Sequence, residues 1–507
     1  MKFNQYTTRS KRTKNHEGAD SFMLDVKQEL YTAVVTTTLG GNFYEKADQR
    51  LVRIQGLIKK IAQTDPDFVA KLAVYAREKM NLRSIPLVLT VELAKVHNGD
   101  NLLRRTTHRV VQRADEITEV LAYYQLANKR RGEKKLDKLS KQVQKGLADA
   151  FNEFDEYQFA KYNRDTAIKL RDALFLVHPK AKDEAQQKIF DKIVNGTLEV
   201  PKTWEAQLSV AGQKSYRSEA EKAEAFRKRW ESMITSGKIG YMALLRNLRN
   251  ILKADIDKEV FQTAMQRLAD PVAVRKSRQF PFRFLAAYCE LEQEKGLRIP
   301  YILDALESAL EASARNIRGF DYQTRVLIAS DVSGSMFQRL SPKSKMEWVD
   351  VGLVLSALMK RSCLSAMTGV FGEKYKRVQL STRGVMANIE KLKAQRVGYA
   401  TNGYLAIKDL VKTRTIVDKV LIFTDCQLYN ANAWSEETIE QWWKKYKKKA
   451  PDAKLYLFDL AGYGQTPLNV LRDDVYLIAG WSDKIFDILS AIEEGGSAIV
   501  EIENIIL

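Results

Sequence analysis

The stretch Arg325-Val-Leu-Ile-Ala-Ser-Asp-Val-Ser-Gly-Ser-Met336 predicts the fold of the last third of the chain. Its first half is a short apolar run rich in β-branched residues, which is typical of a buried strand. Its second half has the pattern D-x-S-x-S and places one carboxylate and two hydroxyls on a tight loop. A strand that is buried on both faces and leads into a helix is the unit of a parallel sheet.

The same alternation of strands and helices continues to residue 507. Further strands are predicted at 366–371, 419–424, 454–458 and 475–478, and helices at 346–360, 384–395, 402–413, 435–449 and 483–493. Strands that alternate with helices indicate a doubly wound, Rossmann-like parallel sheet. Ligands of such sheets bind beyond the carboxyl ends of the strands.

The preceding residues have helical periodicity instead. From about Leu24 to Asn316, apolar residues recur at spacings of three and four, as in Leu51, Ile54, Ile58 and Ile61. Roughly a dozen short helices are too many for one bundle, so we expect a solenoid of HEAT type in which each helix pair covers the next. The predicted domains are a flexible basic arm at 1–20, a helical domain at 21–322 and the sheet domain at 323–507.

The charge of the chain is concentrated in the helical region. The 507 residues have a formal net charge of +19, of which residues 1–324 carry +15 and residues 325–507 carry +4. Such a surplus suggests a polyanionic partner, nucleic acid first, although a solvated basic surface would look the same. The chain has only three cysteines, which excludes a disulfide scaffold. It has no apolar run long enough for a transmembrane helix, so we predict a cytoplasmic protein without a membrane span.

One predicted helix has a basic face. At about 100° per residue, its lysines fall within a stripe roughly 60° wide, while Val143 and Leu147 fall on the opposite side. A ladder of ammonium groups matches the phosphates of a nucleic acid, and the alternative is again a solvated face. The lysines of this stripe are Lys134, Lys138, Lys141 and Lys145.

Further basic residues extend this candidate nucleic-acid surface. Lys161 and Arg164 are three apart and are expected on one helical face, and Arg171 and His178 are expected on one face of the next helix. Arg246 lies in a later amphipathic helix. Guanidinium groups bind phosphate oxygens in bidentate geometry.

The loop after the first strand predicts a metal centre. Asp331, Ser333 and Ser335 lie on that loop, Thr401 lies on a loop before a helix, and Asp425 ends the strand at 419–424. Carboxylate and hydroxyl oxygens are the ligands that Mg²⁺ prefers. The alternative is that the two serines cap the helix that follows them, which would leave Thr401 and Asp425 unexplained.

Several classes of enzyme are disfavoured. There is no G-x-x-x-x-G-K-[ST] loop and no G-x-S-x-G elbow, and the four histidines all lie before the sheet domain. Cys426, which follows Asp425, is interpreted as a packed thiol and not as a nucleophile. We therefore expect a protein that is not an enzyme. A metal-dependent nuclease or phosphatase stays open as a third hypothesis, which incubation with labelled RNA and Mg²⁺ would test.

The metal-site residues resemble the metal-ion-dependent adhesion site of von Willebrand factor A domains. The whole chain from about residue 30 resembles the TROVE family, to which the Ro ribonucleoprotein autoantigen and its bacterial relatives belong. The segments that carry the second resemblance are Thr38–Tyr44, Lys161-Tyr162, His178–Lys180, Ile239–Leu248, Phe280–Phe282, Gly296–Arg298 and Asp331–Met336. The loop Gly398-Tyr-Ala-Thr401 departs from the Gly-Gly-Thr of animal members but keeps the threonine.

The resemblance implies a monomeric ring of HEAT-like helices closed by the A domain. It implies that small Y-like RNA binds on the basic outer surface and that single-stranded 3′ ends of misfolded RNA enter a central hole, in noncoding RNA quality control. Partners would include an exoribonuclease, or another protein that donates a carboxylate to the metal ion. The alternative function is a metal-dependent protein–protein adaptor with little role for RNA.

Overall fold

A computed structural model gives the structure of the chain. It describes residues 11–37, 44–127, 139–163, 165–199, 204, 208, 212, 216–279, 281–313, 320, 323–340, 344–363, 365–429, 437–481 and 484–507. The chain forms two compact units. The sheet unit comprises Met1–Arg50 and Glu219–Ala498, and the helical unit comprises Leu51–Ser218 and Ile499–Leu507.

Helices make up most of the regular secondary structure of both units. In chain order they are α1 (Val26–Val35), α2 (Ala47–Ala62), α3 (Pro66–Glu78), α4 (Ser84–Val96), α5 (Leu102–Val110), α6 (Ala114–Ala127), α7 (Lys141–Phe151), α8 (Glu156–Tyr162), α9 (Leu170–Val177), α10 (Glu184–Asn195), α11 (Glu219–Thr235), α12 (Tyr241–Arg246), α13 (Leu248–Lys253), α14 (Lys258–Ala269), α15 (Pro271–Ser277), α16 (Pro281–Leu291), α17 (Ile299–Ser313), α18 (Trp348–Ser362), α19 (Val385–Lys393), α20 (Tyr404–Lys412), α21 (Ile439–Lys447), α22 (Ile485–Glu493) and α23 (Ala498–Glu503). No helix within these bounds is both long enough and apolar enough to cross a bilayer.

The strands lie in the sheet unit and form two sheets. They are β1 (Arg12–Lys14), β2 (Asp20–Met23), β3 (Val326–Asp331), β4 (Ala366–Phe371), β5 (Tyr375–Arg377), β6 (Lys419–Thr424), β7 (Lys454–Asp459), β8 (Gln465–Thr466) and β9 (Val475–Ala479). The larger sheet has the order β5-β4-β3-β6-β7-β9, in which β5 runs antiparallel to β4 and every other pair is parallel. The prediction of a parallel sheet is confirmed, and the edge strand β5 was missed.

The large sheet is covered by helices on both faces. On one face, Val420 and Ile422 of β6 pack in the same core as residues of α20 and α21. On the other face, the Ser330 hydroxyl of β3 lies 2.6 Å from that of Ser356 in α18. Phe458 of β7 stacks on Phe423 and contacts Phe486 of α22, with ring centroids 4.3 and 6.3 Å apart. These contacts make the sheet doubly wound.

The helical unit is built from neighbours along the chain. Contacts join α3 to α4 and α5, α5 to α7, α6 to α8 and α9, and α9 to α10. The sequence explains where such a helix begins: the Asp65 carboxylate accepts a hydrogen bond from the Phe68 amide at 3.1 Å, and Pro66 occupies the first helical position. In the core of the unit, Arg77 donates two hydrogen bonds of 2.9 Å to the Glu116 carboxylate and so joins α3 to α6.

The predicted flexible arm at 1–20 needs a correction from Arg12 onward. Strands β1 and β2 form an antiparallel hairpin, and β2 pairs in turn with β8, so that Phe22 lies opposite Thr466. Backbone pairing with a partner more than 400 residues away stabilises a segment whose local composition is polar and charged. Residues 1–10 lie outside the described residues.

Candidate metal centre and nucleic-acid interface

The candidate metal centre lies where the central strands of the large sheet end. Asp331 is the last residue of β3, and Asp425 directly follows the neighbouring strand β6. The Gly334 amide donates a hydrogen bond of 2.9 Å to the Tyr399 carbonyl, which brings the loop containing Thr401 to the same place. Parallel strands present their carboxyl ends at one edge, so residues far apart in sequence become neighbours there.

Hydrogen bonds fix the orientation of the predicted ligands. Asp331 Oδ1 accepts from the Ser333 amide at 2.9 Å, and Asp331 Oδ2 accepts from the Thr424 hydroxyl at 2.6 Å. The hydroxyls of Ser333 and Ser335 lie 3.4 Å apart. Ser333 occupies the N-cap position of the 3₁₀ helix Gly334–Phe337, but its side chain makes no capping hydrogen bond. The alternative interpretation, in which Ser333 only caps the following helix, therefore does not account for the Ser333 hydroxyl.

The remaining two predicted ligands are held by the segment that follows β6. Asp425 Oδ1 accepts a hydrogen bond of 3.0 Å from the Gln427 amide, and Thr401 Oγ1 accepts one of 2.8 Å from the Tyr429 amide. All five predicted ligands are buried, with at most 7% of any residue's surface exposed. The structure thus brings together every residue that the sequence assigned to this centre.

The electrostatics of the centre favour a bound cation. Burial raises the pKa of Asp331, and the charge of Asp425 raises it further; burial likewise raises the pKa of Asp425. The donor set of two carboxylates and three hydroxyls consists of hard oxygens, so it fits Mg²⁺ or a similar ion. Among the described residues, no group of three or more His, Cys, Asp or Glu side chains is placed to hold a metal, so the hydroxyls are essential to this assignment.

A third buried carboxylate near the centre was not predicted. Asp459 ends β7, the strand after β6 in the sheet, and its Oδ1 accepts from the amides of Ala461 and Gly462 at 3.0 and 2.8 Å. Burial raises its pKa to about 6, and Oδ2 has no hydrogen-bond partner within the described ranges. Its position at the end of an apolar run repeats the pattern of Asp331 and Asp425, which is the signal that could have revealed it.

Cys426 belongs to the structure of this loop. Its thiol is fully buried, as predicted for a packed cysteine, and burial raises its pKa well above the ordinary value. Its φ angle of 62° is left-handed, which is costly for a residue with a Cβ. The conformation turns the chain directly after Asp425, where the Gln427 amide bonds back to its carboxylate.

The basic face on α7 is confirmed where it is described. Lys141 and Lys145 are exposed, whereas Val143 and Leu147 are buried. Helix α7 begins at Lys141, and the predicted residues Lys134 and Lys138 lie outside the described residues. The described part of the stripe therefore consists of two lysines one turn apart.

A glutamine joins this face to the end of α9. Gln144 Nε2 donates hydrogen bonds to the carbonyls of Leu176 and Val177 at 3.0 and 3.2 Å, and Lys141 Nζ donates to Gln144 Oε1 at 3.3 Å. His178 follows as an exposed C-cap with a left-handed φ of 50°. The prediction that His178 shares a helical face with Arg171 is wrong, because the helix ends at Val177. The fold nevertheless brings His178 near Lys141.

Exposed aromatic rings accompany the other predicted cations of the helical unit. The Lys161 ammonium lies 5.8 Å from the Tyr157 ring centroid, and the Arg171 guanidinium lies 5.8 Å from that of Phe175. Tyr157 and Phe175 are each 49% exposed. Phe175 follows Arg171 by four residues, so its presence on the polar face of α9 was readable from helical spacing.

Three other residues were also predicted to belong to the nucleic-acid surface. Tyr162, a candidate for stacking on a base, is partly covered by the Arg113 guanidinium at 4.2 Å. Arg164 lies outside the described residues. Arg246 is exposed at the end of α12, which belongs to the sheet unit, whereas the other described cations belong to the helical unit.

The chain thus combines a helical region that bears exposed cations with a parallel-sheet region that bears an oxygen-lined candidate metal centre. The model of the TROVE domain family matches residues 15–227 and 196–299, which together exceed half of the chain. The chain therefore belongs to the TROVE domain family, in agreement with the resemblance seen in its sequence.

Known proteins agree with this assignment. The "RNA-binding protein RO60" of Deinococcus radiodurans is 23% identical over 96% of both chains. "Telomerase protein component 1" is 24% identical in rat over 55% of this chain and in mouse over 77%. This chain spans only 13% and 17% of the length of those two relatives. The crystal structure of the Deinococcus radiodurans RO (RSR) protein matches 91% of this chain and 99% of its own with a TM-score of 0.61 at 20% identity, which shows a shared fold.

Proposed function

We propose that this protein binds RNA through the exposed cations of its helical unit and acts as a ribonucleoprotein scaffold without catalysis. Family membership and the similarity to the RNA-binding protein of Deinococcus radiodurans support RNA as the partner. The observation that carries the proposal is that Lys141, Lys145, Lys161 and Arg171 have no ion pair with any described acidic residue. Neighbouring surface lysines are paired, as Lys192 is with Glu156 at 2.6 Å.

Unpaired cations beside exposed rings suit single-stranded or looped RNA. Ammonium and guanidinium groups bind phosphates and release counterions, whereas Tyr157 and Phe175 offer faces on which unpaired bases can stack.

In this proposal the ligands are small Y-like RNA and the single-stranded 3′ ends of misfolded RNA. The helical region is a HEAT-type solenoid, and the sheet region is a von Willebrand factor A domain. The setting is cytoplasmic RNA quality control, in which an exoribonuclease is a partner.

The test is a mobility-shift titration with a Y-like stem-loop RNA and with an oligouridine-tailed RNA at low salt. We expect Lys141→Glu/Lys145→Glu to weaken binding by about 10- to 100-fold, because two phosphate contacts become repulsive. The matched control is Lys188→Glu/Lys192→Glu, which reverses two lysines at the same spacing on α10 that are paired with Glu184 and Glu156. Equal loss in both variants, or no binding by the wild type, would contradict the proposal.

A second function, metal-dependent binding of an acidic protein partner, is favoured by the centre at the sheet edge. Asp331, Ser333, Ser335, Thr401 and Asp425 would hold Mg²⁺, and the ion would supply a positive charge to which a carboxylate can bind. These side chains are already oriented by the hydrogen bonds to Asp331 and Thr401. The adaptor hypothesis predicts a protein partner whose binding requires Mg²⁺, is lost in Asp331→Ala and does not depend on RNA.

A further inference from the structure

The loop His178–Lys182, which follows α9, is held by one side chain of α7 and by that of its C-cap residue. Gln144 donates to the last two carbonyls of α9, which have no partner within the helix. Asn152, the C-cap of α7, bonds to the far end of the loop. Its Nδ2 donates a hydrogen bond of 3.0 Å to the Lys180 carbonyl, and its Oδ1 accepts one of 2.9 Å from the Lys182 amide. The backbone of the loop is therefore attached to one helix at both ends.

Helix α7 is itself fixed, because it packs closely on α5. A Cβ added at Gly146 would lie 2.6 Å from the Arg104 carbonyl oxygen and 2.6 Å from Thr107 Cβ, so a larger residue would force the two helices apart. The Arg104 guanidinium also donates two hydrogen bonds, of 2.6 and 3.0 Å, to the Asp149 carboxylate. The loop is thus bonded to a helix that cannot move without breaking these contacts.

Lys180 is an exposed cation of this loop. The neighbouring Lys182 ammonium is bound to the chain itself, since it donates a hydrogen bond of 2.6 Å to the Asn152 carbonyl. Lys180 is exposed and forms no ion pair with any acidic residue that the structure describes. Its backbone is held by Asn152 while its ammonium remains accessible to a ligand. A lysine whose backbone is already ordered loses less conformational entropy when it binds.

We propose that Lys180 is a further phosphate contact of the RNA surface and that Asn152 is the residue that positions it. The inference rests on the RNA-binding function proposed above. Gln144 accepts a hydrogen bond from Lys141 and donates to the end of α9, so Lys141 and Lys180 are presented from the same support, helix α7. RNA phosphates then meet cations that need not first be ordered, which increases the affinity.

The experiment is a double-mutant cycle on the full chain, measured by fluorescence anisotropy with a labelled Y-like stem-loop RNA at low salt. We expect Lys180→Ala to weaken binding by about fivefold, because one phosphate contact is lost. Asn152→Leu, which keeps the size of the side chain without its hydrogen bonds, should weaken binding by about threefold. In the Lys180→Ala background, Asn152→Leu should have no further effect, because the lysine that it positions is absent. A merely structural role of Asn152 would give the same loss in both backgrounds.

The control is Lys188→Ala, which removes the same charge from an exposed lysine that is paired with Glu184 at 2.9 Å, and it should leave the affinity within about twofold of wild type. Melting curves show which variants fold, and Asn152→Ala takes the place of Asn152→Leu if the leucine variant does not.

The outcomes separate this inference from the function on which it rests. If Lys141→Glu/Lys145→Glu loses RNA binding while Lys180→Ala binds like the wild type, the role of Lys180 is refuted and the RNA-binding function stands. An equal effect of the Asn152 variant in both backgrounds refutes its positioning role. If the wild type binds no RNA, both proposals are refuted.

Discussion

Two regions of the molecule collect polar side chains, but these side chains are exposed to different degrees. One is the carboxyl-terminal edge of the large sheet, and the other is the α7–α9 face, which we define by the exposed cations Lys141, Lys145 and Arg171. At the sheet edge, Asp331 and Asp425 are buried and bonded to backbone amides. On the α7–α9 face, Lys145 and Arg171 project into solvent and pair with no described acid. Buried, oriented oxygens suit a small ion of fixed geometry, whereas exposed, adaptable cations suit a long polyanion.

The largest effect should come from removing one buried carboxylate. We expect Asp331→Ala to weaken Mn²⁺ binding by at least about 100-fold, because a charged ligand is lost and the Ser333 amide and Thr424 hydroxyl lose their acceptor. Calorimetry measures this change. RNA affinity should stay within about twofold of wild type. A parallel loss of RNA binding would show that the two regions are not independent.

Salt should weaken RNA binding far more than Mn²⁺ binding, and the difference should be nearly as large as the effect of Asp331→Ala. If about four phosphates are contacted, raising NaCl from about 50 to 200 mM should weaken binding of single-stranded RNA by about 50-fold, because counterion release dominates the affinity. Fluorescence anisotropy with labelled RNA at each concentration gives the slope. Mn²⁺ binding at the buried centre should change far less, since buried charges are poorly screened. A flat RNA slope would rule out the phosphate-binding role of the face.

A smaller effect is expected from one exposed ring. Phe175→Ala should weaken binding of a single-stranded RNA by about tenfold, which is the usual contribution of one stacked base. Phe175→Trp should keep or improve the affinity, and a fully paired duplex should not distinguish the three proteins. Filter-binding titrations are sufficient. Equal effects on duplex and single strand would indicate that the ring only supports Arg171.

The smallest effect is expected from the basic run at the end of α21. Lys444 is paired with Glu440 at 2.7 Å, and the Lys445 ammonium lies 4.3 Å above the Trp442 ring. Lys444→Glu/Lys445→Glu should leave RNA affinity unchanged and lower the free energy of unfolding by about 0.5–1 kcal/mol, because cations favour a helix C-terminus. Denaturant titration measures this change. Lost RNA binding would extend the interface into the sheet unit.

Sequence predicted the large sheet and the centre because both depend on local patterns. Lys419-Val-Leu-Ile-Phe-Thr424 is a short apolar run of the length typical of a buried strand, and an acidic residue after such a strand lies at the carboxyl-terminal edge of the sheet. The hairpin at 12–23 was missed because its stability comes from pairing with β8 and from the bond between Asn15 and Leu428. Neither contact can be predicted from the sequence of the short, charged segment itself.

The candidate nucleic-acid face could be predicted from the sequence only in part, for the same reason. Exposure of Lys141 and Lys145 follows from helical periodicity, and so could that of Phe175. The approach of His178 to Lys141 depends on a hydrogen bond from Gln144 to the Leu176 carbonyl, 32 residues further on. Periodicity also cannot locate the end of α9, because this helix ends where His178 adopts a left-handed conformation.

The pairing of β2 with β8 has a consequence for biosynthesis. Met23 emerges from the ribosome about 440 residues before its partner Gln465, which at ordinary rates of translation is a delay of roughly 20 to 90 seconds. Throughout that interval the first hairpin has no neighbour with which to complete its sheet, and Asn15 lacks the Leu428 carbonyl to which it donates a hydrogen bond. Closure of the hairpin against β8 therefore has to wait until the chain has been synthesised to Thr466.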